Sequence, residues 1–396
     1  MSLPERLKDK LNGLGRRAAI IGVVALAACI VGAFASPDQF FRSYLIGYLL
    51  WISVALGSLA LLMLQHLITG QWGWIGRRSF EAAARTLWLM AMGFIPIVIG
   101  LSRIYVWADS GHIVGDALLE HKTPYLNISF FLVRAGIYFT IWIGLATLMS
   151  RWSRQQDQGS TSVAGRFQLG SGLGLLLFAI TASFASVDWI MSIEPHWFST
   201  IYGLQFIVGL ILTALAFTVP ILLLLSDYEP LKDRIRPSHL HDFGNLILAF
   251  VMLWAYLAFS QYLITWTGNL PEEIPWYLNR TRGGWQWVGL ILVVFHFAVP
   301  FAVLLSRAAK RSARVLSRVA VAILVLRLID FIWLVAPAYA SELTIHWMDI
   351  LAPIGIGGVW LAAFFWQLES APVLPVNDPR FTVAIETQEA VEHGSL

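Results

Sequence analysis

Three side chains able to exchange protons lie close together in the middle of the chain. Asp188, Glu194 and His196 stand at the end of a long apolar run, with Pro195 between the last two. Apolar surroundings and a neighbouring like charge make a carboxylate hold its proton more tightly, and an imidazole titrates near neutral pH. This spacing predicts a group that relays protons or contacts a quinone. A structural cap that orders the turn after the run is the alternative.

Four more ionisable side chains lie within apolar runs. Arg134 belongs to the run before that of Asp188, and it can pair with Asp188 or orient a quinone carbonyl. Arg327 and Asp330 stand three residues apart, so they share one face of a helix and can pair with each other. His296 can serve a proton path or bond to a neighbouring group. Because a charge at mid-bilayer costs about 2.5–3.5 kcal/mol, each of these residues needs a partner or a function.

A polar segment between two apolar runs is a candidate docking surface. It covers residues 269–285, NLPEEIPWYLNRTRGGW, and combines two prolines with acidic and aromatic side chains. Glu272, Glu273, Trp276 and Tyr277 are its candidate contacts with a partner protein. A half-helix lying on the lipid surface is the alternative.

Helices that cross a bilayer must position these residues. Of the 396 residues, 58% are hydrophobic and 13% are charged, and the mean hydropathy is +0.69. A soluble domain has roughly a quarter of its residues charged, and a bilayer core requires about 20 apolar helical residues. Suitable runs lie near 18–36, 43–65, 83–101, 127–149, 170–193, 201–225, 243–265, 284–305, 315–338 and 346–366. The sequence therefore predicts an all-α polytopic membrane protein with about ten transmembrane helices.

The basic residues predict how these helices are oriented. Twenty of the 27 lysines and arginines fall in segments on the side of the N-terminus, and five fall on the opposite side. The other two, Arg134 and Arg327, lie within runs. Since lysine and arginine accumulate in cytoplasmic loops, both termini are expected in the cytoplasm. The first run is expected to remain as a membrane helix rather than to be cleaved as a signal peptide.

A weak internal repeat suggests how the chain is divided. Pro195 follows Asp188 by seven residues, Pro337 follows Asp330 by the same distance, and a His-Trp pair comes after each. Four spans separate the copies, so both run in the same direction, as in two bundles related about an axis along the membrane normal. The expected units are 1–82 with two spans, 83–226 and 227–366 as four-helix bundles, and 367–396 as a cytoplasmic tail. Coincidence in an aromatic-rich chain is the alternative.

Composition argues against several cofactors and partners. The basic residues occupy short loops and form no stripe for nucleic acid. Cys29 is the single cysteine, too few thiols for an iron–sulfur cluster or a structural zinc site. A CxxCH segment for covalent haem is absent, and of nine histidines only His296 lies deep within a run, which leaves no pair for a haem b. We expect neither a metal nor a redox cofactor on this chain, so any electron carrier belongs to another subunit.

Four segments together resemble a known family. They are SVDWIMSIEPHWFSTIYG (186–203), ITWTGNLPEEIPWYLNRTRGGW (264–285), FHFAVPFAVLLSR (295–307) and RLIDFIWLVAPAY (327–339). They are similar to the ActF-type membrane subunit of alternative complex III, a bacterial quinol:cytochrome c oxidoreductase in the wider polysulfide-reductase-anchor (NrfD-like) superfamily. The resemblance covers most of the chain, and ten spans suit the ActF type better than the simple anchors, which typically have eight.

The resemblance implies a membrane subunit of two four-helix bundles beside a larger homologous quinol-binding subunit. It implies an iron–sulfur protein and haem c proteins as partners on the outer face, with electrons passing from quinol to cytochrome c or directly to a terminal oxidase. It implies a proton half-channel or a second quinone site in this chain, with candidates Asp188, Glu194, His196, His296, Arg327 and Asp330. The quinol-binding paralogue resembles PGWHST where this chain has EPHWFST, so the histidine sits differently, which counts against direct quinol oxidation here.

The expected roles of this chain in a bacterial inner membrane are scaffold, partner docking and proton transfer, as a subunit of an oxidoreductase rather than an enzyme alone. Two other functions stay open. One is an independent proton-coupled transporter, which same-direction repeats and buried charges would also suit. The other is the quinone-side anchor of a molybdenum-type reductase. Against the transporter, no pair of Gly/Pro-interrupted mid-span segments marks a central substrate site.

Overall fold

The computed structural model describes residues 4–68, 70–160, 163–232, 234–372, 374–375 and 377–378. Within these residues, ten helices are long and apolar enough to cross a membrane, and there is no strand. They are α1 Glu5–Ala35, α2 Pro37–Leu67, α3 Trp72–Ile99, α4 Ile128–Asp157, α5 Ala164–Ile193, α6 Tyr202–Leu225, α7 Pro237–Gly268, α8 Trp285–Leu305, α9 Ala313–Ala338 and α10 Trp347–Glu369. The predicted all-α polytopic membrane protein with about ten transmembrane helices is confirmed.

Helix α2 lies at the centre of the bundle. Its most apolar stretch is 94% buried, and it packs against α3, α5, α6, α9 and α10. A helix that is apolar all round suits such an enclosed position. The corresponding stretch of α1 is only 17% buried. Its outward side chains, such as Phe34, belong to the apolar surface that the bilayer covers.

Helix α1 is attached to the bundle mainly through α10. Glycines let the two backbones approach closely, as is common where helices meet in membranes. A Cβ atom added at Gly22 would lie 2.6 Å from the backbone nitrogen of Val359 and 2.8 Å from the carbonyl oxygen of Gly355. The contact between α1 and α10 therefore depends on the absence of a side chain at Gly22.

Helix α3 begins 11 residues earlier than predicted, at Trp72 instead of residue 83. The expected span was 83–101, with two spans assigned to residues 1–82, but the helical segment Gln71–Ala84 precedes it. This segment carries Arg77, Arg78 and Glu81, and all three side chains are buried. The charges are enclosed by other helices and neutralise one another. Hydropathy averaged over a sequence window does not detect such pairing, because some of the partners lie elsewhere in the chain. The prediction of this boundary was therefore wrong for a physical reason.

The ends of the ten helices define two faces of the protein. We call the face that carries the start of α1 and the end of α10 the N-side face, and the other the far face. On the N-side face, the residues after α10 fold back onto the bundle, where Leu374 and Asp378 are buried. Asn377 donates to the carbonyl oxygen of Asp157 at 2.8 Å. The tail predicted from residue 367 thus begins after Glu369 and first packs on the bundle, and residues 379–396 lie outside the described part.

The division into two four-helix bundles stays a prediction, as does the assignment of the N-side face to the cytoplasm. Helix α2 contacts α5 and α6 from the first predicted bundle and α9 and α10 from the second. Two helix ends do agree with the proposed repeat. Helix α5 finishes in a 3₁₀ turn at Met191–Ile193, and α9 finishes in a 3₁₀ turn at Ala336–Ala338. Each turn follows the aspartate of its copy.

Candidate functional site

Asp188 of α5 is buried and held by donors from α4. Arg134 donates from Nε and Nη2 to the two carboxylate oxygens, at 2.9 and 2.8 Å. Tyr138, one turn further along α4, donates its hydroxyl to Oδ2 at 2.8 Å. The pairing of Arg134 with Asp188, one of the two roles considered for this arginine, is therefore present. Three donors occupy most acceptor positions of the carboxylate and fix its orientation.

Arg134 is held as firmly as its partner. Its Nη1 donates to the carbonyl oxygen of Tyr125 at 2.9 Å. The guanidinium lies over the ring of Tyr125, 3.9 Å from the centroid, and over that of Phe130, 4.4 Å from the centroid. A planar guanidinium that is both paired and stacked forms a rigid arrangement. This cluster joins α4 to α5 and fixes the orientation of Asp188.

A second buried acid–arginine pair lies on α9. Arg327 donates from Nη1 to Asp330, as their spacing predicted. Its Nε donates to the hydroxyl oxygen of Thr213 on α6 at 3.1 Å. The guanidinium lies against Gly209 of α6, where any Cβ atom would collide with it. A glycine at this position therefore makes room for a charged side chain between two helices.

Asp330 differs from Asp188 because it borders a small cavity between α6, α7 and α9. The cavity measures about 10 Å³, which is roughly the room that one water molecule requires. Tyr202 and Gln205 bring further polar side chains to its wall. The full lining is Tyr202, Gln205, Phe206, Trp254, Arg327, Asp330, Phe331 and Leu334. The polar members can provide the two to four partners that a buried water needs.

His296 of α8 packs against Trp254, which is one of the residues that line this cavity. The two ring centroids are 4.2 Å apart. His296 is fully buried, and neither of its ring nitrogens has a hydrogen-bond partner among the described residues. Buried polar atoms are rarely left unpaired in proteins, and those that are often have a role in proton chemistry or bind water. His296 is therefore a candidate for proton chemistry next to one residue of the cavity wall.

The backbone of α8 is irregular where it carries His296. Residues Leu292–Ala298 form a π-helical turn, and Pro300 follows. Pro300 has no N–H group to donate to the carbonyl oxygen of His296, four residues earlier. The wider turn accompanies this missing hydrogen bond, and π-helical turns are frequent at functional sites.

Glu194 pairs with an arginine that was not among the predicted site residues. Arg280 donates from Nη2 to Glu194 at 2.5 Å and to the carbonyl oxygen of Leu334 at 2.8 Å. Its guanidinium stacks on Trp276, 3.6 Å from the ring centroid. Burial lowers the pKa of Arg280 below its usual value, and the carboxylate of Glu194 opposes this shift. Through these hydrogen bonds, Arg280 links the α5–α6 and α7–α8 connections to the end of α9 on the far face.

His196 has a different partner on the surface. Its Nε2 lies 2.7 Å from Oδ2 of Asp116, and its side chain is 59% exposed. The backbone N–H of Leu119, and then His196, lower the pKa of Asp116. Asp188, Glu194 and His196, which were predicted to act together, thus have partners on three separate elements.

The predicted docking segment is only partly on the surface. Glu272 is exposed and Glu273 is partly exposed. Trp276 and Tyr277 are each only 6% exposed, and Trp276 stacks on Trp197 with ring centroids 4.5 Å apart. These two rings belong to the interior because they lie on the inward side of the short helix Ile274–Arg280. The acidic pair stays a predicted contact for a partner.

A buried charge network at the N-side face was also not predicted. Arg77 donates to Glu81 at 2.9 Å and to Asp378 at 2.8 Å, and Arg78 donates to Glu81 at 2.8 Å and to Asp157 at 2.5 Å. Both arginines had been assigned to a connection on the basis of charge alone. The spacing of three and four residues to Glu81 was the available signal. The other two carboxylates lie 79 and 301 residues away along the chain, where a single sequence carries no signal.

The described residues form no group of three or more His, Cys, Asp or Glu side chains that could hold a metal ion. The assignment of all redox cofactors to partner subunits stays a prediction. Comparison with known proteins found that no protein-family model matches the chain and that no curated protein matches it.

Proposed function

We propose that this chain is a membrane subunit of a respiratory complex that oxidises quinol and passes the electrons to cytochrome c or to a terminal oxidase. Haem c and iron–sulfur clusters belong to partner subunits, and a homologous membrane subunit binds the quinol. The chain resides in a bacterial cytoplasmic membrane with both termini in the cytoplasm. The four segments similar to the ActF-type protein of alternative complex III and the ten spans support this proposal.

The observation that carries the proposal is the water-sized cavity that Asp330 borders; His296 packs against Trp254, a residue of the wall of this cavity. A carboxylate that borders a space for water can exchange a proton with that water, and a buried imidazole packed against the cavity wall is a candidate for a further step of proton transfer. Ionisable groups inside membrane helices chiefly mark proton or substrate paths. The role proposed for this chain is therefore proton transfer, in addition to scaffold and docking.

Of Asp188 and Asp330, the two buried aspartates that pair with an arginine of a membrane helix at positions 134 and 327, Asp330 is the proton-exchanging group in this proposal. Asp188 is oriented by three donors from α4. Asp330 has its partner Arg327 on its own helix and faces the cavity. The positive charge of Arg327 stabilises the ionised carboxylate. The cavity has room for a water molecule, to which the carboxyl group can pass its proton. Asp188 then has a structural role.

The size of the cavity favours a proton over a quinone at this position. Pockets that hold organic ligands measure roughly 300–1,000 Å³. The cavity beside Asp330 measures about 10 Å³. A quinone ring would require α6, α7 and α9 to move apart, whereas a water molecule requires no such movement. The same comparison argues against a central site for a transported organic substrate.

Asp330→Asn in the purified complex tests the proposed proton role. Asparagine has nearly the same shape but cannot take up and release a proton in the same way. We expect normal haem c content and quinol oxidation slower by roughly a hundredfold, the lower end of what a general acid or base contributes. Asp38→Asn is the matched control because Asp38 forms an exposed pair with Arg103. Normal turnover of the Asp330 variant at every pH would refute the proton role.

Purification tests the respiratory assignment independently of the mutation. In mild detergent we expect the chain to be isolated together with haem c proteins. A chain isolated alone and active as a carrier would make the protein a transporter. Co-purification with a molybdenum enzyme would make it a reductase anchor, and either result would contradict the proposal.

A further inference from the structure

The connection between α8 and α9 carries a dense group of positive charges on the N-side face. We call it the basic hairpin and define it as Arg307, Lys310, Arg311, Arg314 and Arg318. The four arginines are exposed. In the part of the chain that the structure describes, no carboxylate lies within ion-pair distance of any of them. Their charge is therefore available to a partner outside this chain.

The basic hairpin is an ordered platform. Lys310 is buried, and its Nζ donates to the side-chain oxygen of Asn245 on α7 at 2.6 Å. The stem of Lys310 packs so closely on Gly244 that a Cβ atom there would lie 2.7 Å from Lys310 Cγ. Ser306 and Ser312 cap the two helices of the hairpin by accepting from backbone N–H groups. These contacts hold the backbone of the basic hairpin in a fixed position relative to α7.

Two other arginines on the same face, Arg77 and Arg78, are used differently. Both are buried and pair with three carboxylates, so their positive charge is neutralised within the protein. Orienting a membrane protein requires only that basic residues lie on one side. It does not require them to be clustered, unpaired and carried on a backbone that is anchored to a neighbouring helix. The arrangement of the basic hairpin therefore has a cause beyond topology.

The arginines are spaced to grip phosphate groups. Arg307 and Arg311 lie four residues apart on one short helix, and Arg314 and Arg318 lie four residues apart at the start of α9. Residues at this spacing share one face of a helix. A guanidinium binds a phosphate through two parallel hydrogen bonds, which makes arginine well suited to this group. Two such pairs suit a ligand with more than one phosphate.

Exposed apolar side chains adjoin the arginines on both helices. Leu305, 59% exposed, lies just before the basic hairpin, and Val321 and Val325, 46% and 56% exposed, follow it on α9. A free phosphate would use only the arginines. An anionic phospholipid uses both features, because its headgroup reaches the arginines while its acyl chains lie along α8 and α9.

We propose that the basic hairpin binds the phosphate headgroup of an anionic phospholipid in the leaflet at the N-side face. The interaction is between guanidinium groups and phosphate oxygens near the membrane surface, where each positive charge strengthens binding roughly fivefold. Binding weakens as the salt concentration rises, because the charges are at the protein surface.

Titration of the full-length chain with cardiolipin, in micelles or in phosphatidylcholine discs, tests this proposal. Native mass spectrometry or a fluorescent cardiolipin reports the dissociation constant. Relative to the wild-type chain, we expect R307Q/R311Q/R314Q to bind on the order of a hundredfold more weakly. R6Q/K8Q/K10Q removes the same number of charges from exposed positions at the start of α1. This control is expected to bind nearly as the wild-type chain does, and equal weakening of both variants would overturn the proposed site.

Further measurements distinguish lipid binding from the binding of a free anion. They also distinguish a loss of binding from a failure of the variant to fold. Inorganic phosphate in excess should leave most cardiolipin bound, and full displacement would assign the site to free phosphate instead. R307K/R311K/R314K keeps the charges and should stay within roughly tenfold of the wild-type chain. If the triple glutamine variant does not fold, R311Q alone should bind roughly fivefold more weakly. Unchanged binding by R311Q would overturn the proposal.

Discussion

Replacing Asp188 by asparagine measures what the buried pair with Arg134 contributes to stability. The substitution preserves the size of the side chain and removes its charge. The guanidinium of Arg134, whose side chain is 7% exposed, then stays enclosed without a counter-charge. Breaking a buried pair in this way costs about 3–5 kcal/mol, because the remaining charge is desolvated and unpaired. We expect Asp188→Asn to lower the free energy of unfolding by about this amount.

Reversible unfolding of the purified chain by SDS in mixed micelles measures this difference. Asp38→Asn provides the control, because it makes the same chemical change in an exposed pair. The side chains of Arg103 and Asp38 are 47% and 56% exposed. Exposed pairs contribute about 0.2–1 kcal/mol, so this control should change the free energy of unfolding by no more than that.

A double variant shows whether charge is the cause. Asp188→Leu combined with Arg134→Met removes both charges and should recover most of the lost stability, since apolar replacements of a buried pair are often neutral or better. Equal and small effects of Asp188→Asn and Asp38→Asn would refute the reasoning. A double variant as unstable as the single one would attribute the effect to the tyrosine contacts of the cluster instead.

Two further substitutions test close contacts elsewhere. Arg280→Lys should lower the free energy of unfolding by about 2 kcal/mol and speed proteolysis between α7 and α8, because lysine cannot reproduce the forked donors or the stacking. The control, Arg282→Lys at an exposed position, should change neither quantity. Equal effects of the two variants would contradict this prediction. Gly22→Ala should destabilise by about 1–3 kcal/mol in the same SDS titration, because its Cβ atom would lie 2.6 Å from a backbone nitrogen of α10. Gly136→Ala, which has nothing within 4 Å, should be neutral or slightly stabilising, and a stable Gly22 variant would show that the two helices separate readily.

The number of spans could be predicted because a long apolar run has one physical explanation in a chain this poor in charge. The start of α3 could not be predicted, because its charged side chains are buried against partners that include carboxylates far away in the sequence. Arg77 and Arg78 look like loop residues when they are counted alone. In the fold they pair with carboxylates from α3, from the end of α4 and from the segment after α10.

Pairs within the site were predictable only over short distances. The spacing of Arg327 and Asp330 was sufficient because a helix fixes the geometry of residues three apart. Glu194 and Arg280 are separated by 86 residues, a distance at which local periodicity carries no information. Closeness in sequence also misled in one place. The α-helical part of α5 ends at Trp189 and a 3₁₀ turn follows at Met191–Ile193, so Glu194 and His196 do not share a helix face with Asp188.

The contact between Arg77 and Asp378 has a consequence for the order of events during synthesis. The two residues are 301 positions apart, so the third helix is translated long before its distant carboxylate exists. Until then, Glu81 is the carboxylate on the same helix that serves both Arg77 and Arg78. The N-side end of α3 attains its final charge balance only after residue 378 has been synthesised, which couples the maturation of this helix to a segment made 301 residues later.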